Sequence, residues 1–318
     1  MNYIVFDLEW NQSPGGKKYS NSRLPFEIIE IGAVKMNEQR EVVDVFQRLV
    51  KPQVYNWIHD SIHEVIHVDY KDLEDGILFQ QAAEEFLEWC GKEFLFFTWG
   101  DQDVMELQRN MKYYGLLSRI PGPVKYCDVQ KIYGITYEKS ARRSLEYAVE
   151  QLKLPKNLEF HRALTDAEYT AEILKVLDLK VIFENLSMDV YQNPKKKKDE
   201  IFLSYPTYDK YVSREFADRE KVIRDREVSS TRCPVCHIPA KRKIRWFMNN
   251  SRAYESVSFC QNHGYIKGKV RIRHTDEDMY YAIKKLKKIE EKEAEEIREK
   301  RDSLRKKRQM KRHSEKLI

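Results

Sequence analysis

The first 180 residues alternate between short apolar runs and longer amphipathic stretches. Residues 3–8 are apolar except for Asp7 and predict a buried strand. PFEIIEIGAVKMN (25–37) and EVVDVFQRLV (41–50) predict two more strands, the first broken by Glu27 and Glu30. Together they predict an antiparallel three-stranded start. The run 72–91 ends in a helix stopped by Gly91, the aromatic run 93–100 predicts a strand, and 104–115 a helix closed by Gly115. A short strand over 124–129 and amphipathic helices over 140–152 and 161–177 complete the pattern. The order is βββαβα with further helices. NPKKKKDE (193–200) predicts a polar linker, and residues from about 277 onward a charged helix with a basic end.

Composition adds asymmetry. Residues 1–190 hold 22 Lys and Arg against 31 Asp and Glu, a net of −9; residues 191–318 hold 35 against 20, a net of +15. An acidic body with a basic end implies a polyanionic partner. The N-terminus lacks a secretory pattern and no run is long and apolar enough to span a membrane, so a cytoplasmic protein is expected. Five cysteines, three of them late, fit a reducing setting better than a disulfide scaffold. Cys90 and Cys127 fall in a predicted helix and strand, as core residues.

Three clusters carry candidate chemistry. In a strand, residues two apart share a face, so Asp7 and Glu9 stand side by side. Asp101 and Asp103 follow a strand and open a helix. His161 and Asp166, five apart, flank one helix face. Carboxylates on separate elements repel one another unless cations lie among them. Oxygen ligands suit Mg²⁺ or Mn²⁺, and two such ions can orient a water and stabilise a leaving oxygen at phosphorus. A histidine beside that water can take its proton. Taken singly, each cluster has a plain structural explanation, such as helix capping by the Asp pair.

FDLE, WGDQD and HRALTD, in that order and spacing, resemble the three motifs of the DnaQ-like, DEDDh-type 3′–5′ exonucleases. The subgroup most resembled contains the KapD-like proteins and the exonucleases that trim histone mRNA and small interfering RNA ends. The resemblance covers about residues 1–180. It implies an α/β, RNase H-like mixed five-stranded sheet flanked by helices. It also implies two Mg²⁺ or Mn²⁺ held by Asp7, Glu9, Asp103 and Asp166, with His161 as general base and nucleoside 5′-monophosphates as products. The third acid falls on Asp103 because apolar Val104 follows it, with Asp101 as its rival. Trp10 stands where the family often has a small residue, reshaping the pocket or offering a stacking surface. RNA 3′ ends are favoured over DNA as substrate. The alternative is a non-catalytic nucleic-acid-binding or regulatory adaptor on a nuclease fold.

His59, His63 and His67 are spaced to share one helix face. Three histidines on one helix suit a metal poorly, so a partly exposed histidine face is expected. Cys233, Cys236, Cys260 and His263 form two pairs with two-residue gaps and predict a structural S₃N Zn²⁺ site in a zinc-ribbon-like module, with His237 as a competing ligand. Beside them, Lys241, Lys243 and Arg245 alternate with Arg242, Ile244 and Trp246, and Lys267, Lys269, Arg271 and Arg273 with smaller or apolar residues. As strands these give basic faces for a phosphate backbone, with Trp246, Phe247, Tyr254 and Tyr265 as stacking platforms for unpaired bases. The expected domains are an exonuclease domain over 1–182, a connecting segment over 183–230, the zinc-ribbon-like module over 231–275 and a basic helical tail over 276–318.

Overall fold

The computed structural model describes residues 1–57, 70–156 and 160–314. The expected histidine face at 59, 63 and 67 lies outside them. The chain divides into two compact units, Met1–Gln192 and Asn193–Ile318, each described by itself.

The first unit opens with the three predicted strands, β1 (Asn2–Gln12), β2 (Phe26–Met36) and β3 (Val42–Leu49). The predicted helix over 72–91 is broken into α1 (Tyr70–Glu74) and α2 (Phe79–Cys90), because Ile77 bridges to Val50 between them. There follow β4 (Phe94–Thr98), α3 (Gln102–Tyr113), β5 (Lys125–Asp128), α4 (Val129–Tyr137), α5 (Leu145–Gln151), α6 (Ala163–Val176), α7 (Leu179–Glu184) and β6 (Ser187–Met188). The sheet order is β3-β2-β1-β4-β5-β6. β1, β2 and β3 are antiparallel neighbours, while β4 and β5 run parallel to β1. β6, two residues long and too short to show a pattern, adds a sixth strand to the five expected.

Both faces of this sheet are covered. Tyr3 and Val5 of β1 pack with Val34, Phe97, Ala167 and Leu174 on the α6 side. Ile4, Phe6 and Leu8 pack with Ile31, Phe86, Phe96 and Leu107 on the α2 and α3 side. Asp7 and Glu9 continue the Tyr3–Val5 row, so they emerge on the α6 face where that helix begins. In the β1–β2 register Asp7 lies opposite Gly32. A Cβ at Gly32 would stand 2.0 Å from the backbone nitrogen of Leu164 and 2.2 Å from the carbonyl carbon of Ala163. Only a glycine lets the first turn of α6 rest on the strand. At the other end of α6, Arg40, in the β2–β3 turn with a left-handed φ of 65°, donates to the carbonyls of Leu174 and Leu177 at 2.8 and 2.6 Å. The β2–β3 hairpin therefore holds α6 at both ends.

The second unit contains β7 (Ile201–Ser204), β8 (Tyr208–Val212), α8 (Arg219–Arg224), α9 (Arg226–Ser229), β9 (Lys241–Met248), β10 (Tyr254–Cys260), β11 (Gly264–His274), β12 (Tyr280–Lys288) and α10 (Glu291–Ser314). Its six strands form one antiparallel sheet in the order β7-β8-β12-β11-β10-β9. This corrects the expected layout at three points. Residues 193–200 are tied down rather than free, with Asn193 donating to Glu215 at 3.0 Å and Glu200 paired with Arg214 at 2.7 Å. Residues 201–212 supply two strands where a connecting segment was expected. The charged tail begins as β12, not as helix. In YYAIKKLKK the inward positions are Ala282, Lys284 and Leu286, all buried. Lys284 sits inward by donating to the carbonyls of Glu227 and Ser230, and this buried lysine hides the period of two.

Gly32→Ala would force α6 off β2. We expect a loss of about 1–3 kcal/mol or more from overpacking, with weakened Mn²⁺ binding because Asp166 moves with the helix. Thermal melts and a Mn²⁺ titration check this; wild-type stability and affinity in the variant would contradict the close approach.

Candidate functional site

The acidic cluster lies where β1 runs on past its last pairing with β4, at Val5, beside the carboxyl end of β4, the kind of crevice where ligands collect in α/β sheets. Carboxylate oxygens of Asp7, Glu9 and Asp166 lie within 4.8 Å of one another. Asp7 and Glu9 come from β1 and Asp166 from the first turn of α6. A register shift in the β1–β2 pairing falls immediately after Glu9, between it and Trp10. Asp103, on the first turn of α3, is 5% exposed and accepts a hydrogen bond from the backbone N–H of Leu8. Its negative charge reaches both Asp7 and Glu9. Asp101 is 63% exposed and faces Arg142 at 3.9 Å. Of the two rivals, the structure brings Asp103 to the cluster and leaves Asp101 outside.

Packing four carboxylates together without countercharge is unfavourable, and it raises their pKa values. Burial, then the charges of Asp103, Glu9, Asp166 and Glu30, hold the Asp7 carboxyl well above its ordinary range. Burial, then Asp166, Glu30 and Asp103, push Glu9 up to about 8, with Arg162 opposing. Burial lifts Asp103 to about 7 against backbone hydrogen bonds, and lifts Asp166 to about 6 against a hydrogen bond from His161. An array of oxygen donors that holds protons at neutral pH fits hard divalent cations, which would displace them.

His161 precedes α6, exposed, with a left-handed φ of 69°. Its backbone N–H points at Asp166 Oδ1, 3.4 Å away. Trp10 is half-buried, its ring 6.0 Å from that of Phe26. The sequence reading missed the groups that brace the cluster. Glu30, 1% exposed, lies across from Glu9. It receives both Nε and Nη2 of Arg162, at 3.1 and 3.0 Å, and the amide of Gln47 at 2.7 Å. This two-pronged pair fixes the head of α6 between His161 and Asp166. Glu27, also buried, accepts the backbone N–H groups of Gln53, Val54 and Tyr55 and the Tyr114 hydroxyl. The signal was present: two glutamates at inward positions of an otherwise apolar strand need partners.

In the second unit, ligand atoms of Cys233, Cys236, Cys260 and His263 lie within 4.8 Å of one another. Cys233 Sγ is 3.5 Å from His263 Nδ1, Cys236 Sγ 3.7 Å from Cys260 Sγ, and Cys260 Sγ 3.8 Å from His263 Nδ1. Tetrahedral bonds of about 2.3 Å to sulfur and about 2.0 Å to nitrogen require edges of about 3.5–3.8 Å. The donor set therefore fits Zn²⁺. Burial would raise the Cys260 thiol, but hydrogen bonds led by the Asn262 backbone N–H and the His263 ring bring it down to about 6, towards the thiolate that a metal binds. His237 is 61% exposed and turned to Asp209 at 3.6 Å, outside the cluster. Cys90 and Cys127 are fully buried in the first unit.

The basic residues are less free than expected. In β11 the alternation holds, with Ile266, Gly268 and Val270 buried and Arg271 and Arg273 exposed. Yet α10 covers part of this face, and Lys267 is paired with Glu293 at 2.9 Å. Lys269 is half-buried. In β9 two register shifts against β10 break the alternation: Lys241, Lys243 and Arg245 are all exposed, but Arg242 is too. Trp246 is not an open platform. Its ring packs over Gly268 and its indole N–H donates to the Ser229 carbonyl at 2.8 Å. Phe247 and Tyr265 pack beneath α10, and Tyr254 against a second small core.

A family model described as Exonuclease, of the RNase T type, matches residues 4–174. The chain belongs to the exonuclease family. The match runs from β1 into α6, so it contains the acidic cluster and His161, and the mixed sheet flanked by helices is the RNase H-like fold of this exonuclease. Among solved structures the exonuclease is similar to the nuclease domain of 3′hExo, a DEDDh family member, bound to rAMP. The TM-score is 0.49 at 20% identity, over 59% of this chain and 96% of that one. It is similar to a 3′-exonuclease in 3′-end-specific recognition of a histone mRNA stem-loop, at 0.46 and 21%, over 55% and 80%. It is also similar to S. pombe Pop2p in its Mg²⁺- and Mn²⁺-bound form, at 0.42 and 19%, over 54% and 81%. No curated protein matches the chain in sequence. Among the described residues no helix is long and apolar enough to cross a membrane.

Two measurements test these sites. Glu9, Asp103 and Asp166 titrate near 8, 7 and 6 when folded but at about 4 when unfolded. Between those values the folded state holds more protons, so metal-free stability falls as pH rises from about 5 to 9. Melts without added Mg²⁺ or Mn²⁺ and without chelator across that range should show the fall, and Asp7→Asn should flatten it; an equally steep fall in the variant would contradict the coupling. For the second cluster, elemental analysis should give about one zinc per chain, and Cys236→Ser should lose it and lower the melting temperature of the second unit. A metal-free protein unaffected by the substitution would refute the zinc site.

Proposed function

We propose that the exonuclease domain is a DEDDh-type 3′–5′ exonuclease that hydrolyses phosphodiester bonds of single-stranded nucleic acid, RNA in preference to DNA, and releases nucleoside 5′-monophosphates. The observation that carries this reading is the convergence of Asp7, Glu9 and Asp166 within 4.8 Å, with Asp103 buried beside them. The family match supports nuclease chemistry, and the three motifs support the polarity and the preference for RNA. Asp7, Glu9, Asp103 and Asp166 would hold two Mg²⁺ or Mn²⁺ ions, whose positive charge, when bound, stabilises the charge that develops at phosphorus.

His161 is the general base, taking a proton from the attacking water. Its exposure at the head of α6 lets it reach solvent and substrate. The Arg162–Glu30 pair positions it by fixing the residue that follows. Trp10, at the register shift after Glu9, borders the pocket for the terminal nucleotide. The adaptor alternative would be favoured by a gap in this set, and all five positions are filled.

The test is a matched assay on 5′-labelled and 3′-labelled single-stranded RNA and DNA with Mg²⁺, Mn²⁺ or EDTA. Stepwise shortening from the 3′ end should need metal. Asp7→Ala should abolish it, and His161→Ala should slow it by about 10²–10⁴-fold. Asp101→Ala should change the rate little. Tight binding without degradation at any metal would replace the enzyme with the adaptor.

A further inference from the structure

The helix α10 meets the sheet of the second unit in two different ways. Along its first half the charges are complementary: Glu293 pairs with Lys267, and Lys300 with the buried Glu255, both at 2.9 Å. Ala294 and Ile297 close that half against Ile244 and Val257. Along its second half the complementarity stops. Arg301, Arg305 and Arg308 lie on one helix face and look across a groove of about 700 Å³ at Lys243 and Arg245 of β9, with Phe247 in its wall. No acid lines the groove. Arg301 contacts its neighbour Asp302, and Arg308 donates to the Met248 carbonyl. Arg245 and Arg305 have no acidic partner among the described residues.

Five cations from two elements facing one another are unfavourable in isolation. The chain could have carried glutamates along this half of the helix, as it does along the other. We propose that this groove is a binding site for the phosphate backbone of a single nucleic-acid strand. The occupant is argued from three features. The site is a concave channel, which suits a strand better than a flat anionic surface. Its cations succeed one another along the axis of α10, with Arg301 and Arg305 about 6 Å apart in rise. Its wall also carries apolar surface of the half-buried Phe247 and Leu304, which a base can touch and a bare phosphate does not use. The choice of a nucleic-acid strand rests on the exonuclease reading, while the binding of a polyanion rests on the groove alone.

The experiment uses the full chain carrying Asp7→Asn, which blocks cleavage, in buffer without chelator so that zinc in the same unit is retained, with fluorescence anisotropy of an unstructured RNA strand read across a salt series. The variant Lys243→Gln/Arg245→Gln/Arg305→Gln should weaken binding at least tenfold at low salt. It should also reduce the slope of log K against log salt by about 2, since each phosphate left without its cation lowers the slope by about 0.7. The charge-retaining variant Lys243→Arg/Arg245→Lys/Arg305→Lys should keep the slope. An unchanged slope in the glutamine variant overturns the site. So does tighter binding of the Asp7→Asn chain to anionic vesicles or to a polyglutamate peptide than to RNA, if the glutamine variant loses it. Hydrolysis of a trinucleotide by the wild type with Mn²⁺, measured in parallel, reports the catalytic reading separately. Its absence alongside groove-dependent binding would remove the exonuclease proposal and leave this one standing.

Discussion

Everything in the first unit answers to the repulsion among four carboxylates packed at the ends of β1 and β4. Such a cluster disperses unless the surrounding structure holds it. The protein holds it from several directions. β1 fixes Asp7 and Glu9 by its pleat. The backbone N–H of Leu8 fixes Asp103. Gly32 lets α6 come close enough to deliver Asp166. Glu30 adds a fifth acid nearby, but its charge is matched by Arg162, and Gln47 adds a hydrogen bond to it. The result is a set of oxygens that cannot relax apart and can lower its energy only by binding protons or metal.

The second unit handles like charges in a different manner. Its six-stranded sheet places cationic residues on paired strands, with Lys285 across from Lys269 and Lys287 across from Lys267. The first half of α10 answers some of this charge with glutamates and closes a small apolar core beneath it. The knuckles at Cys233–Cys236 and Cys260–His263 join one end of the sheet to the preceding loop. A Zn²⁺ bound there would cross-link a unit whose own apolar clusters are small.

Much of the acidic site was legible from sequence because its residues interrupt strong patterns. Asp7 and Glu9 break an apolar strand, and Asp103 and Asp166 open helices of clear amphipathic period. The metal-ligand spacing of the cysteines was equally plain. The bracing acids were harder to see. Glu27 and Glu30 break their strand in the same way as Asp7 and Glu9, but their partners are 17 to 132 residues away, and spacing along the chain carries no trace of them. The second unit was misdivided for a related reason. The charged residues of β12 read as helix surface because Lys284 is buried through carbonyl partners on another element. Trp246 looked like a free ring until Gly268 was seen to make room for it.

The hold of the β2–β3 hairpin on α6 has a consequence for the order of events during synthesis. Asp7 and Asp166 are separated by 159 residues of chain, and they meet only after α6 docks across Gly32 under Arg40. Pairings between such distant segments form late in folding. A ribosome-bound fragment carrying the β1 acids therefore has half a cluster and no histidine. The cluster's repulsion, and its demand for protons or metal, therefore falls on the chain only after β1 to β5 have all been made.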